Sequence, residues 1–183
     1  MNLVLWVLFA YACGCLNGAY YIGHFLYGED IRVKGSGNAG ARNAGRVMGR
    51  KAFVYTVIID ALKTIFPLLV VIYLGEASNL VLACVVVAIL CGHIWPVQLH
   101  FHGGKGIVVY LAVSLVLLPM GLLIVGGLIL LLYIITKKLT IPTLTSFFIM
   151  PILLMIKSSW MLAAAYFFML FIIVRLHRSG GVE

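Results

Sequence analysis

Apolar runs separated by short polar stretches make up almost the whole chain, and their lengths define its elements. A run of about 17 to 25 apolar residues crosses a hydrocarbon core of about 30 Å as a helix. Runs of this kind predict helices near residues 3–25, 53–73, 78–96, 139–156 and 159–176. The stretch 107–136 is also apolar, but Pro119 and Gly121 interrupt it, and Gly126-Gly127 do so again. It reads as one long broken helix or as two short ones, 107–118 and 121–136.

The placement of cations decides between these. Lys and Arg collect in the short loops on the cytoplasmic side. Loop 28–52 holds Arg32, Lys34, Arg42, Arg46, Arg50 and Lys51, which sets it inside and the N-terminus outside. If 107–136 crosses twice, Lys105, Lys137, Lys138, Arg175 and Arg178 also fall inside, leaving Lys157 outside and Lys63 within a helix. A single crossing would move Lys137, Lys138, Arg175 and Arg178 outside and weaken the asymmetry. The expected fold is therefore all-α and polytopic, with about seven transmembrane helices, the N-terminus outside and the C-terminus cytoplasmic. Loops 28–52 and 97–106 and the basic tail would then open on one side.

Composition agrees. Of 183 residues, 64% are hydrophobic and 10% charged, with a mean hydropathy of +1.17, far from a soluble domain. A single membrane-embedded domain over 1–183 accounts for that length. The first apolar segment has no basic region before it and no small-residue cleavage site after it, so it reads as a retained helix. The net charge of +8 sits in inter-helix loops rather than on a soluble basic face, which argues against nucleic acid. Cys13, Cys15, Cys84 and Cys91 lie in apolar segments and imply neither a disulfide nor a metal site.

Against that background one loop stands out. Gly35-Ser36-Gly37-Asn38-Ala39-Gly40-Ala41-Arg42-Asn43-Ala44-Gly45-Arg46 packs glycines, small amides and cations together. Glycines let backbone N–H groups approach an anion, Arg46 can grip two phosphate oxygens, and Ser36, Asn38 and Asn43 add neutral donors. A plain topology-fixing loop is the alternative. A second loop, Gly92-His93-Ile94-Trp95-Pro96 followed by Phe101-His102-Gly103-Gly104-Lys105-Gly106, offers backbone donors around a cation. It lacks the upstream Gly and the following Ser or Thr of a nucleotide-binding loop, so nucleotide hydrolysis is disfavoured.

Asp60 and Lys63 share a helix face and can neutralise each other, as a positioning ion pair or with Lys63 reaching a phosphate. His93 reads either as an interfacial histidine or as a base. His100 and His102 flank Phe101 without nearby carboxylates and make no metal site. His24 and Glu29 imitate a His-x4-Asp acyltransferase pattern, with Glu in place of Asp, and read as coincidence. No Ser-His-Asp triad, paired catalytic carboxylates or His-Cys nucleophile can be assembled from the loops. Catalysis here would rest on positioning and charge stabilisation, which suits a substrate carrying its own good leaving group.

The chain resembles the bacterial acyl-phosphate-dependent glycerol-3-phosphate acyltransferases. The likeness runs from Gly14 and Tyr20-Tyr21-Ile22-Gly23 through Asp30-Ile31-Arg32, and is strongest at Gly35-Ser36-Gly37-Asn38-x-Gly40-Ala41-x-Asn43-x-x-Arg46. It continues through Gly49-Arg50-Lys51, Asp60-Ala61-Leu62-Lys63, Gly92-His93, Pro96 and Phe101-x-Gly103-Gly104-Lys105-Gly106.

The resemblance implies transfer of an acyl chain from acyl phosphate to the 1-hydroxyl of glycerol 3-phosphate, giving lysophosphatidic acid and phosphate, with no nucleotide, thioester, metal or other cofactor. It implies a multi-pass enzyme of the bacterial inner membrane, its site facing the cytoplasm, with membrane lipid around it. Ser36, Arg46, Lys105 and His93 form the expected catalytic group. Gly35, Gly37, Asn38, Gly40, Arg42, Asn43, Lys63, Gly103, Gly104 and His177 are the expected substrate contacts.

Departures accompany the matches. The family usually has Thr at Arg42, an Ala-Thr where Val108 and Val109 stand, and Gly-Ser-Ile-Pro where this chain has Gly14-Cys15-Leu16-Asn17. Its third motif survives as His177-Arg178, with Gly180 at the Asn position and Glu183 last. They leave open a paralogue that acylates another polar alcohol, and a lipid-binding protein or transporter that keeps the pocket without turnover.

Overall fold

The computed structural model describes residues 2–74 and 77–179, and among them all regular structure is helical. Each expected apolar segment is a helix or a pair of helices. The segment expected as one helix over 3–25 is two, α1 (Leu3–Cys15) and α2 (Gly18–Tyr27), separated at Leu16-Asn17. Asn17 is extended, and its side-chain oxygen accepts from Tyr20 N at 2.8 Å as the N-cap of α2. Loop 28–52 contains an unexpected helix, α3 (Ala41–Met48). Its composition hid it, because glycines and amides read as loop.

α4 (Arg50–Leu74) keeps Pro67 inside it, which membrane helices tolerate when neighbours satisfy the freed carbonyl. α5 (Asn79–Ile94) begins at Ser78, whose hydroxyl accepts from Val81 N. The ambiguous stretch resolves into α6 (Ile107–Leu117) and α7 (Pro119–Thr136), with Pro119 in the first turn of α7, where a missing N–H is harmless. The segment expected over 139–156 divides into α8 (Thr140–Ser146) and α9 (Ile149–Ile156). The hydroxyls of Thr143 and Thr145 donate to Leu139 O and Ile141 O, back-bonding of a kind that bends helices. α10 (Trp160–Ser179) closes the described chain.

Among the described residues five spans are long and apolar enough to cross a membrane, α1 with α2 counted as one; α6 and the α8–α9 pair are shorter apolar helices. The larger core lies among α1, α4, α5, α6, α9 and α10 and includes Trp6, Leu68, Ile89, Tyr110, Met150 and Ile173. Tyr110 stacks on Phe147 at 4.4 Å and donates to its carbonyl. A small second core of Ile22, Ile31, Ala39, Ala44 and Ala52 lies under the polar loop.

Where lipid competes equally for apolar surface, close helix packing relies on small residues. The α1–α5 contact follows this rule. A Cβ on Gly14 would lie 2.4 Å from Ile89 O, and one on Gly92 would lie 2.3 Å from Tyr11 O. Gly92→Val should therefore force α1 and α5 apart and cost about 3 kcal/mol or more. The expected result is a clearly lowered thermal midpoint for the detergent-solubilised protein.

Candidate active site

Both glycine-rich loops are held by side chains that reach across the fold. Asp30 accepts from Arg32 N at 2.9 Å and from the Arg32 fork at 2.7 to 3.1 Å. The guanidinium also donates to Leu99 O at 2.8 Å and lies 4.8 Å from the centre of the Tyr20 ring. One arginine thus ties the chain after α2 to the short helical turn Val97–Leu99. Asn43 plays a similar part within the first loop. Its oxygen accepts from Ser36 N at 2.9 Å, and its amide donates to Ile31 O and Lys34 O.

Gly35 and Gly37 have φ of +57° and +72°, conformations disfavoured for other residues, and a Cβ on Gly35 would lie 2.3 Å from the Asn43 oxygen. The two loops meet directly. Ala39 N donates to Gly103 O at 3.3 Å, and buried Asn17 donates to Ala39 O at 3.0 Å.

Above this frame opens a cavity of about 950 Å³. Ser36, Asn38, Gly40, Arg42, Asn43 and Arg46 reach it from the first loop and α3, Lys105 from the second loop, and His177 and Arg178 from α10. Arg46 and Lys105, distant in sequence, share one chamber. Arg42 and Arg46 lie one helical turn apart on α3, and Arg42 donates to Thr140 Oγ1 at the start of α8 at 3.0 Å. Gly40 precedes α3 with no side chain capping that helix, so its first N–H groups favour an anion. Beyond the cations the wall becomes apolar, with Leu111, Leu115, Leu122, Ile129 and Leu144. The chamber therefore has a cationic head and a greasy annex.

Four expected contributions take a different form. Gly103 N and Gly104 N donate to Ile94 O and His93 O at 2.9 and 3.1 Å, so these N–H groups satisfy the carboxyl end of α5 and are not phosphate donors. Their lack of a Cβ is nonetheless required, since one on Gly103 would lie 2.0 Å from His93 O and one on Gly104 2.2 Å from His93 Nε2. Lys63 faces neither solvent nor the cavity lining. Its ammonium lies 2.9 Å from Asp60 Oδ1, 2.9 Å from His93 Nδ1 and within hydrogen-bond reach of Leu16 O. An ammonium only donates, so His93 Nδ1 accepts and the ring hydrogen is on Nε2. This removes the basic nitrogen that a role as general base would need.

Asn43 is the fourth case. With both amide hydrogens donated to the backbone, it shapes the loop rather than offering donors to a ligand.

His177 shows the opposite arrangement. Its Nδ1 lies 2.8 Å from Ile173 O, which can only accept, so Nε2 carries the lone pair in the neutral ring. Arg42 and Lys105 act on it electrostatically. His24 stacks on Tyr20 and Glu29 pairs with Lys34 at 3.5 Å, so each has a partner outside the imitated acyltransferase pattern. His102 Nδ1 lies 2.5 Å from His100 O. Gly180 and Glu183 lie outside the described residues.

Sequence reasoning assigned no part to Arg32, Asn17, Thr140 or Arg178. Arg32 and Asp30 stood in a matched motif and Arg178 in the remnant of the third, and the N-cap preference of Asn is the signal that would have marked Asn17. Thr140 carried no signal.

Fold and cavity together define a polytopic helical membrane protein with an anion-attracting chamber continuous with an apolar one. A sequence profile described as glycerol-3-phosphate acyltransferase matches residues 4–180, and the chain belongs to that family. The glycerol-3-phosphate acyltransferase of Thermoanaerobacter sp. (strain X514) is 37% identical over 145 residues, 79% of this chain and 72% of the relative. The enzyme of that name from Trichlorobacter lovleyi is 41% identical over 120 residues, 66% of this chain and 61% of the relative. Among solved structures, PlsY (YgiH), an integral membrane glycerol 3-phosphate acyltransferase in its glycerol 3-phosphate form, superposes with a TM-score of 0.86 at 28% identity. It covers 97% of this chain and 88% of its own. The lysophosphatidic acid form of the same protein superposes at 0.83.

The loop frame generates a pH dependence. Hydrogen bonds from Arg32, the largest influence, hold the Asp30 carboxyl below its usual range. The unfolded chain then binds the proton first, at about 3.9. The stabilisation is complete above that pH and is lost as pH falls through the lower folded value. Asp30→Asn should therefore lower the thermal midpoint at pH 7, and the gap from the parent should shrink below about pH 4.

Proposed function

We propose that this protein transfers a fatty acyl group from acyl phosphate to the 1-hydroxyl of glycerol 3-phosphate, releasing lysophosphatidic acid and inorganic phosphate. The observation carrying this reading is the single chamber in which Arg42, Arg46, Lys105 and Arg178 surround a space that runs on between apolar helices. Two phosphate groups brought together repel, and converging cations offset that repulsion. An acyl tail gains about 0.8 kcal/mol per buried methylene in the annex. The family and the glycerol 3-phosphate form of the structural neighbour favour this acceptor over another polar alcohol.

The hydroxyl oxygen attacks the acyl carbonyl carbon, the new ester C–O bond forms, and the bond to the departing phosphate breaks with its electron pair on phosphate oxygen. Arg46 and Lys105 hold the growing phosphate charge, while Ser36 and Asn38 orient it. The hydroxyl proton passes to a phosphate oxygen of the bound substrates. His177 Nε2 accepts a hydrogen bond from the acceptor and aligns it. The chamber opens at the cytoplasmic face of the bacterial inner membrane, where the positive-inside rule puts the loops, and the reaction begins phospholipid synthesis.

The test is incubation of purified protein in lipid with acyl phosphate and glycerol 3-phosphate. Lysophosphatidic acid and phosphate should appear in equal amounts, and an acyl thioester should yield neither. Binding of both substrates without product would leave a non-catalytic binder instead. Arg46→Gln and Lys105→Met should each reduce kcat/KM by about a hundredfold, with thermal midpoints near that of the parent.

A further inference from the structure

Asp60 and His93 line the chamber wall, with Lys63 behind them, and the three have no part in the chemistry above. Asp60 and Lys63 side chains are each 1% exposed, and His93 is 3% exposed. Isolated, such a cation would be costly to bury. Here each of its three hydrogens meets an acceptor from a different element. Asp60 belongs to α4, Leu16 O is the carbonyl of the residue that caps the end of α1, and His93 Nδ1 belongs to α5. The His93 ring in turn abuts Gly104, and its own carbonyl receives Gly104 N. Lys105 is the next residue along.

We infer that Lys63 is a positioning residue: by donating to His93 Nδ1 it fixes the ring with hydrogen on Nε2, seats the Gly103-Gly104 backbone on the end of α5, and so aims Lys105 into the phosphate chamber. This rests on the reading that Lys105 binds substrate phosphate. The chain of contacts is continuous and short. A ring turned over, or in the other tautomer, would present a different edge to Gly104, where no slack exists. The Asp60 carboxylate anchors the ammonium from behind and leaves its remaining hydrogens for Leu16 O and His93.

The inference is tested on the full-length protein in lipid with Lys63→Met, Lys63→Arg and the double variant Asp60→Asn/Lys63→Met. The double variant avoids stranding a buried carboxylate and covers the case in which Lys63→Met alone does not fold. Nitrogen-15 spectra of ring-labelled histidine should show His93 with hydrogen on Nε2 in the parent and a changed tautomer in the double variant. The KM for glycerol 3-phosphate, and the Kd for inorganic phosphate, should each rise about tenfold in the double variant, with kcat changed far less. Mere loss of folded protein lowers apparent kcat and leaves KM alone. Lys63→Arg should recover part of the KM, since it restores a donor.

A parent His93 with hydrogen on Nδ1, or a folded double variant with unchanged KM and phosphate affinity, overturns the inference. Failure of the parent to form product while it still binds phosphate would instead count against the acyl-transfer reading and leave this phosphate-affinity test intact.

Discussion

A helix interrupted inside a membrane leaves backbone groups that no lipid can satisfy, and the rest of this structure is arranged around one such interruption. At Leu16-Asn17 the first span stops and restarts. The carbonyl end of α1 meets the Lys63 ammonium, and the amino end of α2, at Gly18 N, donates to Asp60 Oδ1 at 3.2 Å. Cation faces carbonyl end and anion faces amide end, the sense each helix dipole prefers. The ion pair three residues apart on α4 therefore acts as a plug for the broken helix.

From that plug the polar structure spreads outward. Asn17, freed by the break, caps α2 and holds Ala39; Ala39 holds Gly103; Gly103 and Gly104 close the end of α5. Gln98 adds a further tie to Cys15 O. Neither glycine loop is floppy, and each uses its missing side chains to let backbone strands touch. The cations of the chamber, by contrast, sit on α3, at Lys105 just before α6, and at the end of α10. A rigid frame thus carries long, charged arms.

Much of the fold was legible from apolar run length, because a bilayer imposes a length scale that periodicity alone does not. Breaks were less legible. Pro119 gave away the α6–α7 boundary, but Leu16-Asn17 did not stand out, since the energy that stabilises it comes from Asp60 and Lys63, over forty positions away. α3 was missed for a related reason: its stability lies in Ala44 and Asn43 buried against the loop, not in helix propensity. The convergence of Arg46 with Lys105 was readable in outline from loop chemistry and charge asymmetry. The roles of His93 and His177 were not, because a tautomer is set by whichever partner each ring nitrogen meets.

The contribution of α10 to the chamber has a consequence for biogenesis. His177 and Arg178 come from the last described helix, while the opposite wall is made by residues translated far earlier. During membrane insertion the early loops can dock on each other while one side of the vestibule is still missing. The vestibule is therefore complete only once α10 has packed against the helices made before it.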